Sequence, residues 1–389
     1  MSSFNYRELE EREKSVGGTD HVYGMTLMTL AKYISSSRSN MVTSHLKQFV
    51  PLNNPDFPKL STGYENTVGK NSTGYYKAKH QYEVVAKIPR FKNGIDDDNL
   101  YFLFVYDRKN DYYDIIQKKV VEDLTEKFGY AYKTDVIDSK EVGDIIEEGE
   151  VLYRSTSYDE DMNYGFGKNV LVLYGLPTET IEDCIIARKG VCKEFTSKEV
   201  ELVKVSLNDN DILCNIYGDN DEYKAFPDIG ELINNKIVAC KRRIHNSQVL
   251  YDLKKSNLKK INYDNDTIFY NEGRIVDIYI RSNKPLDEIE DNVFNRQLKK
   301  YLTMQTEFYQ AVYDECDRII NSGSNFSKEI SHYYKRSRDI LDPNVKWREE
   351  NNAIFNNMIV EFLVERNAEL TVGQKITGRM GNKGRLHAS

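Results

Sequence analysis

Apolar residues change their spacing twice along this chain, and those changes predict a fold that combines sheets with a helical hairpin. Up to about residue 280 they alternate with polar residues or form short runs, which is the pattern of β-strands. Over residues 285–320 they recur mostly at three- and four-residue steps, which predicts one long amphipathic helix. A turn at 321–325 and a second helix over 326–341, ending before Pro343, complete an antiparallel pair.

Strand patterns on both sides of that hairpin make the chain β-rich. Aromatic and aliphatic side chains dominate residues 101–106 and 170–174, which predicts two buried strands. Residues 142–152 carry glycines at two turns, as in a small barrel hairpin. Residues 274–280 alternate, and so do residues 358–365, which lead the chain into its last segment. We therefore predict an α+β fold with a β-rich barrel.

The N-terminal part and the helical hairpin give weaker signals. The apolar spacing of residues 26–33 predicts a short helix, and residues 38–51 follow as a polar stretch. The helical hairpin has two interpretations that the sequence leaves open. It is either an arm that binds a partner or an insertion packed against the rest of the chain.

Composition excludes several classes of protein. With 389 residues, 40% hydrophobic and 30% charged, the chain predicts a soluble protein of two or three compact domains. Its longest apolar runs are too short to cross a membrane, and its first residues have no apolar signal segment. The five cysteines are scattered without a Cys-x-x-Cys pair, so we expect neither disulfides nor zinc, and a reducing cytoplasm as the compartment.

The net charge of −7 argues against a free-standing nucleic-acid-binding domain, which usually carries a basic face. Cations are instead concentrated at residues 38–47, at 236–243 and in the C-terminal loop. Such foci fit a subunit that touches nucleic acid at chosen points inside a larger assembly. They also fit an ordinary acidic enzyme with solvated lysines.

The C-terminal loop, residues 372–384, sets three cations among four glycines. Glycine lets the backbone approach a ligand closely, and Lys375 and Lys383 can bring two point charges to one phosphate site. It is not a Walker loop, because Lys383 is followed by Gly384 and not by Ser or Thr ahead of a helix. The alternative is a mobile basic tail. The strand that enters the loop favours an anchored site.

Residues 372–384 resemble the signature loop of the β subunit of multisubunit DNA-directed RNA polymerases, in which Gly-x-Lys precedes Gly-Arg-x-Gly-Asn-Lys-Gly. The match departs at Met380, where the bacterial family has histidine, and at Gln374, where it has aspartate. Further similar segments occur in the family's order. They are residues 38–51 and 62–65, residues 167–172 leading into 179–186, and residues 227–231 with 271–281.

The resemblance implies roles for four residues in nucleotidyl transfer. Lys375 and Lys383 would contact the RNA 3′ end and the reacting phosphates. Arg38 would reach the triphosphate of the incoming nucleotide, and Gln48 would contact the RNA backbone. For Arg38, a plain surface cation is the competing interpretation.

It also implies nucleotide or RNA contacts for Arg379 and Asn382, and a metal role for Glu182 and Asp183. The two acids would lie near the second Mg²⁺ ion and act on it through water, since hard cations prefer carboxylate oxygen. The alternative is that Glu182 and Asp183 are a solvated acidic pair after a strand, without a role at a metal. Glu179 stands where the family has aromatic turn residues, which leaves the local geometry open.

The aspartate triplet that holds the first Mg²⁺ belongs to the β′ subunit in this family, and no such run occurs in this chain. The resemblance therefore implies an RNA polymerase subunit that is inactive alone and works with a β′-like subunit, the remaining β fragments, DNA template, RNA and NTPs. The expected form is a split β subunit of a giant-phage polymerase in the host cytoplasm, or a truncated gene product.

The implied architecture is half of a double-psi β-barrel with a flap-type β insertion. Its expected parts are a barrel and hybrid region over 1–190, a flap-like region with the helical hairpin over 191–345, and a return strand with the active-site loop over 346–389. Two other functions stay open. One is a non-catalytic β-like protein that binds a partner through the helical hairpin, and the other is an unrelated phosphate-binding enzyme.

Overall fold

The computed structural model describes residues 26–72, 74–91, 100–119, 121–123, 127–175, 183–219, 221–243, 265–270, 272–348, 354–355 and 357–388. In chain order the strands are β1 (Tyr75–Lys77), β2 (Tyr82–Pro89), β3 (Tyr101–Asp107), β4 (Tyr112–Gln117), β5 (Val121–Asp123), β6 (Phe128–Lys133), β7 (Ile145–Ile146), β8 (Val151–Ser155), β9 (Cys184–Ile186), β10 (Ser197–Leu207), β11 (Asp211–Leu213), β12 (Ile237–Arg243), β13 (Asn265–Phe269), β14 (Arg274–Ser282), β15 (Asn325–Phe326), β16 (Met358–Ala368), β17 (Lys375–Thr377) and β18 (Lys383–Ala388). The α-helices whose bounds lie within these residues are α1 (Ser36–Lys47), α2 (Glu65–Lys70), α3 (Asp135–Asp138), α4 (Lys189–Glu194), α5 (Arg296–Ser322) and α6 (Lys328–Leu341).

The described strands form four sheets, which confirms the α+β, sheet-rich class. The largest has the order β1-β8-β6-β10-β16-β14, with β5 added beside β6. A second has the order β15-β4-β3-β2-β7, and two three-stranded sheets have the orders β11-β12-β13 and β17-β18-β9. The longest ladder joins β10 and β16, whose partners run without a register shift from Ser197 and Ala368 to Leu207 and Met358.

Helix α5 lies across two of these sheets and closes a core against each. Its first half packs Leu298 and Tyr301 onto the apolar faces of β10, β14 and β16. Its second half packs Phe308 and Val312 onto β3 and β4, where α6 joins with Ile330. The hairpin is therefore a packed insertion, because its apolar side chains are covered by this chain's own sheet.

The helix is shorter than its apolar period predicts. It starts at Arg296 and not at residue 285, because Pro285 leads into a 3₁₀ turn at Leu286–Glu288. Asn292 then forms a side-chain turn in which its Oδ1 accepts from the Asn295 N–H at 2.9 Å. The second helix agrees with its prediction, and Ser327 caps it by accepting from the Ile330 N–H.

Three of the strand predictions are confirmed, by β3, β14 and β16. The prediction for residues 142–152 is right about the turns and wrong about the hairpin. Gly143 and Gly149 have φ of +97° and +86°, but β7 pairs with β2 while β8 pairs with β1 and β6.

The prediction of a buried strand at residues 170–174 is wrong. Leu171 and Leu173 are 104% and 93% exposed, and the segment pairs with no strand in the described part of the chain. Its apolar composition is that of a strand, but burial needs a neighbour, and composition cannot supply one.

The N-terminal predictions also change. Residues 26–33 do not form one helix, because Leu30 has φ of +58° and only Ala31–Tyr33 form a 3₁₀ turn. The polar stretch after it contains α1, whose first turn is capped by the Ser35 hydroxyl. Among the described helices none is long and apolar enough to cross a membrane.

Candidate phosphate-binding site

The glycine-rich C-terminal loop is a β-hairpin and not a frayed tail. Strands β17 and β18 pair antiparallel, with Lys375 opposite Arg385 and Thr377 opposite Lys383. The turn between them is closed by the Gly378 N–H, which donates to the Asn382 carbonyl at 2.7 Å.

This register sorts the hairpin's side chains into two faces. Directly opposite residues of an antiparallel pair share a face, and so do residues two apart along a strand. Lys375, Thr377, Lys383 and Arg385 therefore lie on one face, and all four are exposed. Leu386, only 1% exposed, lies on the opposite face. We call the first face the basic face.

The cations of the basic face are free for a ligand. Within the described residues, the side chains of Lys375, Lys383 and Arg385 make no ion pair and no hydrogen bond. The basic face therefore offers two ammonium groups, a guanidinium and a hydroxyl, which together suit a phosphate or a row of phosphates.

Strand β9 brings Asp183 of the predicted acidic motif to this hairpin. It pairs parallel to β18, and the Arg385 N–H donates to the Asp183 carbonyl at 3.0 Å. This approach requires Gly384, since a Cβ there would lie 2.6 Å from the Asp183 carbonyl oxygen. Asp183 has φ of +65° and an exposed side chain, and Glu182 lies outside the described residues.

Helix α1 packs on the other side of the hairpin turn. Arg38 donates from Nη1 to the Gly381 carbonyl at 3.0 Å. Gly381 has φ of +77°, and a Cβ there would lie 3.1 Å from the Arg38 carbonyl oxygen. The predicted Arg38 is thus fixed beside the hairpin turn, and its other guanidinium donors make no further hydrogen bond within the part of the chain that the structure describes.

Half-buried His45 joins the same helix to the basic face. Its Nδ1 lies 2.8 Å from the Thr377 hydroxyl, which is itself 3.0 Å from the Asn382 carbonyl. The proton arrangement that satisfies both contacts has Thr377 donating to the carbonyl and accepting from an Nδ1–H of His45. Burial, and then the nearby charges of Lys383 and Lys375, lower the pKa of His45.

The predicted residues Gln48 and Arg379 have different environments near the hairpin. Gln48 is exposed at the C-terminal end of α1, where its N–H donates to the His45 carbonyl at 3.1 Å. Arg379 is turned into the protein: it donates to the carbonyls of Leu60 at 2.8 Å and Leu27 at 3.4 Å, and it lies 5.0 Å from the Phe166 ring centroid. Desolvation lowers the Arg379 pKa.

Asn382 contributes mainly its backbone to the hairpin. Its carbonyl accepts from the Gly378 N–H, and its exposed side chain lies against Gly378, where a Cβ would come within 2.4 Å of the Asn382 Oδ1. The contacts predicted for Asn382 and Arg379 with nucleotide or RNA stay predictions.

The described residues do not form a metal site. No group of three or more His, Cys, Asp or Glu side chains suited to a metal ion occurs among them. Asp183 offers one exposed carboxylate beside the hairpin, whereas Mg²⁺ bound by protein needs several oxygen ligands.

Sequence reasoning missed Arg385, Thr377 and His45. The signal for Arg385 is its two-residue spacing from Lys383, which becomes informative once residues 383–388 are taken as a strand. No sequence signal joins His45 to Thr377, because the two lie 332 positions apart.

The structure thus defines a sheet-rich α+β protein with an exposed basic hairpin held between a helix and a short parallel strand. No protein-family model matches the chain. It is similar, at 23% identity over 359 residues, to the DNA-directed RNA polymerase subunit beta of Streptococcus pyogenes serotype M5 (strain Manfredo) and of serotype M49 (strain NZ131). Each match covers 90% of this chain and 25% of the relative, so the chain spans about a quarter of the length of the curated relatives it matches.

Proposed function

We propose that this chain is a β-like part of a multisubunit DNA-directed RNA polymerase, and that its basic face holds phosphates during nucleotidyl transfer. The observation that carries the proposal is the register of β17 and β18, which brings Lys375 and Lys383 to one exposed face without protein partners among the described residues. The similarity to polymerase β subunits along 90% of the chain supports the same assignment.

The chemistry of RNA extension needs such a face. The RNA 3′ hydroxyl attacks the α-phosphate of the incoming nucleotide and pyrophosphate leaves, while negative charge is spread over the phosphate oxygens. Fixed cations aimed at those oxygens lower the barrier, because they need no reorganisation when the charge develops. Lys375 and Lys383 are the groups of this chain that would supply that charge.

Two residues of α1 would extend the contact. Arg38 uses one N–H for the Gly381 carbonyl and keeps other donors for the triphosphate of the incoming nucleotide. Gln48 ends the same helix with an exposed amide, which suits a contact with the RNA backbone. Arg379 and Asn382 would act mainly by holding the hairpin in shape.

In this proposal a partner chain holds the Mg²⁺ ions. Polymerases of this reaction class use Mg²⁺ to activate the attacking hydroxyl and to neutralise the leaving pyrophosphate. Asp183, whose carboxylate is exposed beside the hairpin, and its neighbour Glu182 would influence such an ion through water, while a β′-like chain would supply its direct ligands.

The assembly we propose includes a β′-like subunit, the rest of a β-like lobe, DNA template, RNA and NTPs, and this chain would be inactive alone. A split β subunit of the giant-phage kind, acting in the host cytoplasm, is its specific form. This form is supported by a composition with 28 tyrosines and only 8 prolines.

The competing role, a protein that binds a partner through its helical hairpin, has less support. The apolar face of α5 is packed against two sheets and that of α6 against β4, so the hairpin offers little apolar surface for a partner.

The test is to purify the tagged chain from the cells that make it and to identify what copurifies. The proposal expects a β′-like polypeptide with an aspartate triplet. The recovered complex should extend an RNA primer on a DNA template, and Lys383→Ala should lower the extension rate by about 10²- to 10³-fold.

Lys335→Ala is the matched control, because Lys335 is an exposed lysine on α6, away from the basic face. It should leave extension unchanged. A complex without a β′-like chain, or equal extension by the Lys383→Ala and wild-type complexes, would overturn the proposal.

A further inference from the structure

Arg385 has the position of a ligand-binding residue, although it lies one residue beyond the glycine-rich motif of residues 372–384. Its backbone is fixed on both sides, by Lys375 across the antiparallel ladder and by Cys184 across the parallel one. Its side chain is exposed on the basic face, two residues along the strand from Lys383. The two side chains therefore project from the same face of β18, about 6.6 Å apart along the strand.

Other arginines on the strands of this protein are paired with acids. Arg274 contacts Glu365 at 2.8 Å, Arg281 contacts Glu361 at 2.5 Å, and Arg366 contacts Glu199. Arg385 has no such partner among the described residues. Its surroundings thus differ from those of the arginines that stabilise the sheet.

The residue opposite Arg385 adds to the contrast. Lys375 is its cross-strand partner, and side chains at such positions have Cβ atoms about 4.5–5.5 Å apart. Like charges directly opposite each other destabilise a ladder. An anion bound between the two cations would remove that repulsion, so this pair is better suited to the bound state than to the free one.

We propose that Arg385 is a further phosphate-binding residue, and that it holds the RNA phosphodiester next to the one contacted by Lys383. The RNA backbone then runs along β18, with Lys375 on the neighbouring strand facing the same phosphates. The guanidinium fork can bind two oxygens of one phosphodiester, which an ammonium group cannot do. This inference rests on the proposed function, since it takes RNA as the ligand of the basic face.

The test measures binding of a short, fluorescein-labelled single-stranded RNA to the complex recovered with the tagged chain, by anisotropy over a series of salt concentrations. Each phosphate contact on a single strand contributes roughly 0.7 to the slope of log K against log salt. Arg385→Gln should therefore reduce the magnitude of that slope by roughly 0.7. Arg385→Lys should restore the slope but bind more weakly than wild type, because it keeps the charge and loses the fork.

Two controls separate this inference from the proposed function. Lys383→Gln tests the proposed function and should also reduce the slope. Arg338→Gln removes an exposed, ion-paired arginine from α6 and should leave the slope unchanged. Thermal melting of every variant checks that the fold is intact.

Four results would overturn the role of Arg385. A reduced slope in Lys383→Gln with a wild-type slope in Arg385→Gln would overturn the role of Arg385 and leave the proposed function standing. Wild-type slopes in both variants, or no RNA binding by the wild-type complex at any salt concentration, would overturn both. Equal losses in Arg338→Gln and Arg385→Gln would show a general charge effect and would also overturn the role of Arg385.

Discussion

His45 is a sensitive reporter of the basic face at the scale of single residues. Its hydrogen bond to Thr377 holds the ring near Lys375 and Lys383, whose charges oppose its protonation. Lys383→Gln should therefore raise the pKa of His45 towards its ordinary value, because one repulsive charge is removed. An NMR titration of the His45 ring protons measures this directly.

Lys335→Gln is the control for that titration, since it removes an equally exposed charge from α6 and should not move the His45 pKa. An unchanged His45 pKa in Lys383→Gln would contradict the geometry of the basic face. The direction of the His45 pKa shift also affects the stability of the fold. Because the folded-state pKa is lowered, the unfolded chain binds the proton more readily, so His45 reduces stability as the pH falls below about 6.5.

Two arginines of the C-terminal segment show how far single residues can be interpreted from sequence. Arg379 and Arg385 both look like free cations in a glycine-rich loop. In the structure Arg379 donates to two backbone carbonyls and lies by the Phe166 ring, while Arg385 faces solvent. The difference depends on contacts with residues more than two hundred positions away, which no local pattern encodes.

At the scale of elements, sequence patterns worked where an element's own apolar period decides its structure. The alternation of β14 and β16 and the helical period of α6 gave the right element in the right place. Helix α1 was missed because few of its residues are apolar, and its start depends on a cap by Ser35. The pairing of the strands was harder to predict than their positions, because β7 and β8 are close in sequence but join different sheets.

The contact between β9 and β18 can be tested at its narrowest point. A Cβ on Gly384 would lie 2.6 Å from the Asp183 carbonyl oxygen and 2.8 Å from Ile185, so Gly384→Ala must push the two strands apart. We expect a loss of about 1–3 kcal/mol in the free energy of unfolding. Hydrogen exchange at the Arg385 amide, which donates to the Asp183 carbonyl, should become faster.

Gly190→Ala is the matched control for this change. Gly190 lies in α4, and a Cβ added there would meet no atom within 4 Å, so alanine should be neutral or stabilising by up to about 1 kcal/mol. If Gly384→Ala were as stable as wild type and the Arg385 amide kept its protection, the close approach of β9 to β18 would be wrong.

At the scale of the whole molecule, α5 connects two sheets that the sequence patterns predict separately. One of its halves belongs to the core under β10, β14 and β16, and the other to the core under β3 and β4. The amphipathic period predicted that this helix has a buried face, but not that two sheets share it. The partition into regions 1–190, 191–345 and 346–389 therefore stays a prediction about homologous segments.

The largest departure from ordinary burial is the apolar run at residues 170–174. Leu171 and Leu173 are 104% and 93% exposed, so replacing both with alanine removes apolar surface that already contacts water. We expect the free energy of unfolding to stay within about 0.5 kcal/mol of the wild-type value. Self-association at high protein concentration should decrease, because exposed apolar patches favour it.

Leu152→Ala is the comparison for that double variant. Leu152 is fully buried in the core between β2, β3 and β8, so its truncation should cost about 2–5 kcal/mol. Denaturant unfolding gives the stabilities, and sedimentation gives the self-association of each protein. A loss in the Leu171→Ala, Leu173→Ala variant comparable to that of Leu152→Ala would mean that the run is buried in solution, and the exposed conformation of residues 170–174 would then be wrong.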